Sequence, residues 1–308
     1  MGFADGFIDG VLGEALADGR RVLHLGALAD YIPELLNANP AALGLALLSA
    51  DGKYYHTGDA DAVFTIQSIA KVLSFIAAIK VLGHDEIFHK VGMEPSGETF
   101  NSLIKLEGGA LRPCNPFINA GALVIVSVLA NTLPFDEMLD FAGEMLGERA
   151  RVNEAVYISE RRSGLRNWAM AYLLSSKGMM SENVEAYLDY YFRLCAVEAT
   201  AKSLAHMGLI LAHNGKNPLT GRRLLGRDAA KTAKTLMLTC GMYDASGEFA
   251  IKAGLPAKSG VGGGILAAAA GFGIGAFGPA LDCKGNSIGG IRAIERVSEK
   301  LGFHMFGE

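Results

Sequence analysis

An α+β fold is what this 308-residue sequence predicts, with an antiparallel sheet assembled from both ends of the chain and a mainly helical segment inserted between them. Three observations carry the expectation. Strand-like apolar runs cluster near residues 43–58 and again after residue 245, and helical spacing dominates the middle. Strands at both termini with helices between them form one sheet only if the ends of the chain meet.

The elements follow in chain order. Ile8 to Ala17 carries apolar residues at helical spacing, and the DGRR stretch ends that segment. LGLALLSADGKYYHTG, residues 43–58, sets an Asp-Gly turn between two apolar runs and predicts a hairpin. A helix is expected from about Ser68 through VLSFIAAIKVL. From residue 85 to 245 the segments ALVIVSVLANTL, PFDEMLDFAGEML, NVEAYLDYYFRLCAV and SLAHMGLILAHN read as apolar-faced helices. Strand character is expected to return only in GEFAIKAGL and in the glycine-rich run 262–281, before a last amphipathic helix, IRAIERVSEKLG. The division expected is residues 1–84 with 246–308 as the sheet part and 85–245 as the helical insert.

Half of the residues are apolar, which is ample for a large core, and a net charge of −4 offers no basic surface for nucleic acid or anionic lipid. Cys114, Cys195, Cys240 and Cys283 lack metal-ligand spacing and a disulfide pattern. The uncharged stretch 262–281 is long enough to span a bilayer, but its glycines disfavour a stable helix, so two buried strands joined near Gly271 are expected instead of a membrane segment. The opening MGFADGFIDG has neither the basic region nor the apolar run of an export signal, and a cytoplasmic location is expected.

In TIQSIAKV, residues 65–72, Ser68 and Lys71 stand three positions apart, so a helix places them on one face. An amine that is unprotonated can take the hydroxyl proton as the serine attacks a carbonyl. S-x-x-K alone recurs by chance in chains of this length. A second element, Lys258-Ser259-Gly260, stands where enzymes of this serine type carry K-[ST]-G on a strand facing the nucleophile. Lys258 is expected to help keep Lys71 neutral by like-charge repulsion, with burial acting in the same sense. Gly262, Gly263 and Gly264 suit close approach of a backbone or a substrate, or simply tight strand packing.

Seven separated stretches then resemble the serine-dependent glutaminases over nearly the whole chain: YIPEL (31–35), QSIAK (67–71), NPFINAGAL (115–123), ERRSGLRN (160–167), YLDYYFRLCAVE (187–198), GMYDASGEFA (241–250) and PAKSGVGGG (256–264). The resemblance implies a β-lactamase-like fold and hydrolysis of L-glutamine to L-glutamate and ammonia, with no metal or organic cofactor. It implies Ser68 as nucleophile, Lys71 as base and Tyr243 as the phenol completing proton transfer. The backbone N–H groups of Ser68 and Val261 would form the oxyanion hole, and Tyr31, Asn119, Glu160, Asn167 and Tyr191 match substrate-holding positions. A homo-oligomer, dimer or tetramer, is also implied. Read without the resemblance, Asn119 is a helix cap, Tyr191 a core aromatic, Tyr31 a loop anchor and Glu160 a surface charge. Two rival functions stay open: another Ser-Lys hydrolase of the β-lactamase, peptidase or esterase kind, and an amino-acid binding protein without activity.

Overall fold

Ile8, Val11, Leu12 and Ala15 lie on one stripe of the Asp5–Arg20 helix and are buried against the sheet and the C-terminal helix Ile288–Leu301. The computed structural model describes residues 5–97, 99, 101–102 and 111–307. The predicted hairpin is present as β1 (Gly44–Ser49) and β2 (Tyr54–Gly58), turning at Gly52 with φ +89. Phe64–Thr65 forms the short strand β3 and Glu198–Ala199 forms β4; Ala257–Ser259, Gly264–Ala269 and Phe272–Phe277 form β5, β6 and β7. The main sheet runs β2-β1-β7-β6-β5 with each neighbouring pair antiparallel, so the two ends of the chain join where β1 meets β7.

The strands read as continuous apolar runs because both sheet faces are covered. Leu45, Leu47, Ile274 and Ala276 pack toward the terminal helices, whereas Ala46, Leu48, Leu266 and Ala268 belong to the larger core on the other side. That second face receives the Ala201–Ala212 helix at very short range. A Cβ added to Gly273 would lie 1.8 Å from the carbonyl oxygen of Ala205, and one added to Gly275 would lie 1.9 Å from that of Ala201. The glycine-rich run is therefore the β6–β7 hairpin, with Gly271 at φ +80 in its turn. Among the described residues no single helix is long and apolar enough to cross a membrane.

Two sequence expectations are corrected. GEFAIKAGL is not a strand: Ser246–Lys252 is a helix, and strand structure starts at Ala257. Phe249 and Ala253 are buried four residues apart while Ile251 between them is 79% exposed, a helical pattern that the short segment had disguised as alternation. The middle of the chain also contributes a strand, since β4 pairs with β3 as Phe64↔Ala199 and Thr65↔Glu198. This two-residue ladder ties the segment before Ser68 to the loop between two helices.

Candidate active site

The Ala70–Leu82 helix is apolar all round and buried from Ala70 to Ile79, so Lys71 enters the core with it and is only 1% exposed. Ser68 sits one turn earlier, in the 3-10 turn Gln67–Ile69. Gln67 has φ +48, a left-handed conformation that costs a non-glycine residue about 1–2 kcal/mol. Tyr243, at φ +53, carries the same strain on the opposite wall. Its turn is held by Ser246, whose Oγ accepts from Met242 N at 3.0 Å and donates to the Tyr243 carbonyl at 2.8 Å.

Ser68 opens into a cavity of about 170 Å³ that is also lined by Tyr31, Asn119, Glu160, Asn167, Tyr191 and Val261. Six predicted residues from five separate stretches of the chain thus converge on the predicted nucleophile. Lys71 and Tyr243 stand behind it. Lys71 Nζ donates to Asn119 Oδ1 at 2.6 Å, Asn119 Nδ2 donates to Asn167 Oδ1 at 2.8 Å, and the Tyr243 side chain is hydrogen-bonded to that of Ser68. Asn119 is not a cap but the first residue of the Asn119–Ala130 helix, whose N-cap position, Ile118, makes no side-chain cap bond, while Asn115 Oδ1 accepts from the backbone N–H groups of Phe117 and Ile118 in the turn before it. Asn119 is left to hold the lysine.

Glycines bring the β5 loop against the nucleophile. A Cβ on Gly260 would lie 2.4 Å from the Ile66 carbonyl oxygen and 3.4 Å from Ser68 N, and one on Gly262 would lie 2.3 Å from the Thr65 oxygen. Val261 between them therefore lies beside the Ser68 backbone. Of the two readings of Gly262, Gly263 and Gly264, tight packing is the one the contacts carry, while Val261 beside them lines the cavity.

The electrostatics follow from burial. Desolvation lowers Lys71 to about 8, against the opposing influence of Cys195 and Glu160. Lys258 is coupled to Lys71 by like charge. It is completely buried, its amine is pushed well below the usual lysine range by burial and then by the charge of Lys71, and it donates to the Ser259 carbonyl at 2.6 Å. Burial is the main cause that lowers Lys71, and the charge of Lys71 in turn disfavours protonation of Lys258. Burial likewise raises Glu160 to about 8, opposed by a hydrogen bond from Gln67 and by Lys71. Glu160 Oε2 has no hydrogen-bond partner, while neighbouring Arg161 and Arg162 point to solvent. Burial also keeps the Tyr243 phenol protonated far above neutral pH.

Sequence reasoning missed several lining residues, among them Gln67, Ser163, Arg166 and Cys195. All four lie inside motif stretches quoted above, so proximity to a matched residue was the available signal.

The glutaminase family model matches residues 26–306 of this sequence. The chain belongs to the glutaminase family. It is 46% identical over 293 residues to the glutaminase of Clostridium tetani, covering 93% of this chain and 96% of that one, and 43% identical over 297 residues to glutaminase 2 of Clostridium perfringens, covering 94% and 97%. Among solved structures it is similar to the Bacillus subtilis glutaminase in covalent complex with 5-oxo-L-norleucine, formed by reaction with 6-diazo-5-oxo-L-norleucine. The identity there is 38%, the TM-score is 0.87, and 96% of this chain and 98% of that chain are covered. The glutaminase fold is the β-lactamase-like one expected from the sequence.

Proposed function

We propose that this glutaminase hydrolyses L-glutamine through a covalent glutamyl ester on Ser68. The observation that carries the assignment is the pairing, in one small cavity, of a serine at one end with a buried carboxylate oxygen that lacks a partner at the other. An unpaired buried carboxylate is costly, and an α-ammonium is the group that would relieve it. The covalent complex of the Bacillus relative supports the reading, because 5-oxo-L-norleucine has an α-amino acid head and a carbonyl where glutamine has its amide.

In this scheme Lys71, unprotonated, takes the Ser68 proton as Oγ attacks the amide carbon. The oxyanion is held by the N–H groups of Ser68 and Val261. Tyr243, hydrogen-bonded to Ser68, gives its phenol proton to the departing nitrogen and regains one from protonated Lys71, and ammonia leaves. Water then attacks the ester, returns the proton to the Ser68 oxygen and releases L-glutamate. Glu160 faces the ammonium, while Tyr31, Asn119, Asn167 and Tyr191 orient the carboxylate and the chain by hydrogen bonds. Ser68, Lys71, Tyr31 and Val261 come from the sheet part, 1–84 with 246–308; Asn119, Glu160, Asn167, Tyr191 and Tyr243 come from the insert, 85–245. A homo-oligomer and a cytoplasmic location belong to the same proposal, the latter supported by four unpaired cysteines.

Ammonia release from L-glutamine, L-asparagine and N-acetylglutamine tests the assignment. Glutamine alone is expected to turn over rapidly, since asparagine held by its α-groups stops short of Ser68 and acetylation removes the charge that Glu160 reads. Comparable efficiency on N-acetylglutamine would overturn the role of Glu160, and β-lactam or ester turnover exceeding glutamine turnover would overturn the substrate class.

A further inference from the structure

Gln67 has no part in the chemistry above, yet it is both buried and held in a strained backbone conformation. Its side chain is 2% exposed and lines the cavity between Ser68 and Glu160. Its backbone is strained at φ +48, and the residue next in the chain is the nucleophile. Nε2 donates to Thr65 Oγ1 at 3.2 Å, and the side chain also hydrogen-bonds the Glu160 carboxylate. Gly262 packs beside Gln67: a Cβ there would lie 3.4 Å from Gln67 Cγ, an ordinary contact, but 2.3 Å from the Thr65 carbonyl oxygen.

We propose that Gln67 is the positioning residue that makes this site select a substrate carrying an α-ammonium. The proposal rests on the assignment of Glu160 to the ammonium and deepens it. A carboxamide offers two N–H donors; Thr65 takes one and fixes the amide plane, and the other is given to Glu160. A neutral donor orients the carboxylate without cancelling its charge, so attraction for a cationic ligand is retained. A lysine or arginine in this place would satisfy Glu160 internally, and an acidic residue would repel it. Because Gln67 adjoins Ser68, the strained turn also sets the distance between the ammonium reader and the nucleophile. Selection and attack are thereby registered to one residue.

The test compares L-glutamine with glutaramate, the same molecule without its α-amino group, in wild type, Gln67→Met and Gln67→Asn. Methionine keeps length and removes the donors; asparagine keeps the donors and withdraws them by one methylene. In both folded variants kcat/KM for glutamine is expected to fall by roughly tenfold to a hundredfold, chiefly through KM, as for a lost hydrogen bond to a charged group. Glutaramate should lose no more than about threefold, so the preference for glutamine collapses. Should one variant not fold, the other decides. An equal loss on both substrates, with the preference intact, would overturn the proposal and leave Gln67 a structural support of Ser68. A wild type that shows no preference for glutamine would instead remove the Glu160 assignment itself, which is a separate failure.

Discussion

In the proposed mechanism Ser68, Lys71 and Tyr243 act as one unit. Ser68→Ala deletes the attacking atom from a site that is otherwise prepacked, so turnover is expected to drop by at least about 10⁴-fold with little change in melting temperature. Ammonia release near the wild-type rate from a folded Ser68→Ala protein would eliminate the ester mechanism. Glu160→Gln keeps shape and removes charge. It is expected to reduce kcat/KM for glutamine by about tenfold to a thousandfold, and to leave the already poor N-acetylglutamine rate nearly unchanged. Lys71→Arg retains the charge but cannot serve as base, so activity is expected to disappear at every pH at which the protein is folded. The rising limb of the wild-type profile lies near the value to which burial lowers Lys71, about 8. A normal profile in Lys71→Arg would require a different base.

Helices and strands place these side chains through contacts that leave little room for substitution. The Ala201–Ala212 helix rests on β7 at two glycines, and Gly275→Ala would put a methyl group 1.9 Å from the Ala201 carbonyl oxygen. The helix or the strand has to yield, and a loss of about 3 kcal/mol in unfolding free energy is expected. Gly10→Ala is the opposite case. Its added Cβ meets nothing within 4 Å inside the Asp5–Arg20 helix, so a gain of about 0.5–1 kcal/mol should follow from propensity. Denaturant unfolding of both variants checks the pair; a tolerated Gly275→Ala would show that the sheet and helix are not in the close contact described. The β3–β4 ladder has a comparable structural role, because it anchors the chain immediately before Gln67 to the end of the helix that carries Tyr191 and Cys195.

Two opposed titrations in one core give the folded protein a characteristic dependence on pH. Glu160 is raised from 4.5 to about 8, so its contribution to stability is complete below pH 4.5 and is lost as pH rises to 8. Lys71 is lowered from 10.5 to about 8, so its contribution is complete above pH 10.5 and is lost as pH falls to 8. Both are least favourable near pH 8. The stability of the wild type minus that of a Glu160→Gln/Lys71→Met double variant is therefore expected to pass through a minimum there. Unfolding measured from pH 5 to 10 would refute this if the difference were flat.

Much of this was legible in local order along the chain. The Asp-Gly hairpin, the paired strands of the glycine-rich run and the helix that carries Lys71 depend on periodicity and turn chemistry between near neighbours, which a sequence displays directly. Seven spaced motifs extended that legibility to the residues lining one cavity. Other features depended on what packs over a residue from far along the chain. Glu160 and Arg161 are adjacent and equally polar in sequence, yet one is buried with an unpaired oxygen and the other faces water. Lys258 looked like an ordinary second charge, yet the enclosure that pushes its amine well below the usual lysine range is built by distant segments. Gln67 passed unnoticed beside Ser68 because its conformation and its bond to Glu160 exist only once the insert closes over the sheet. Spacing specified which groups could meet, whereas desolvation, a property of the assembled interior, decided which of them carry charge.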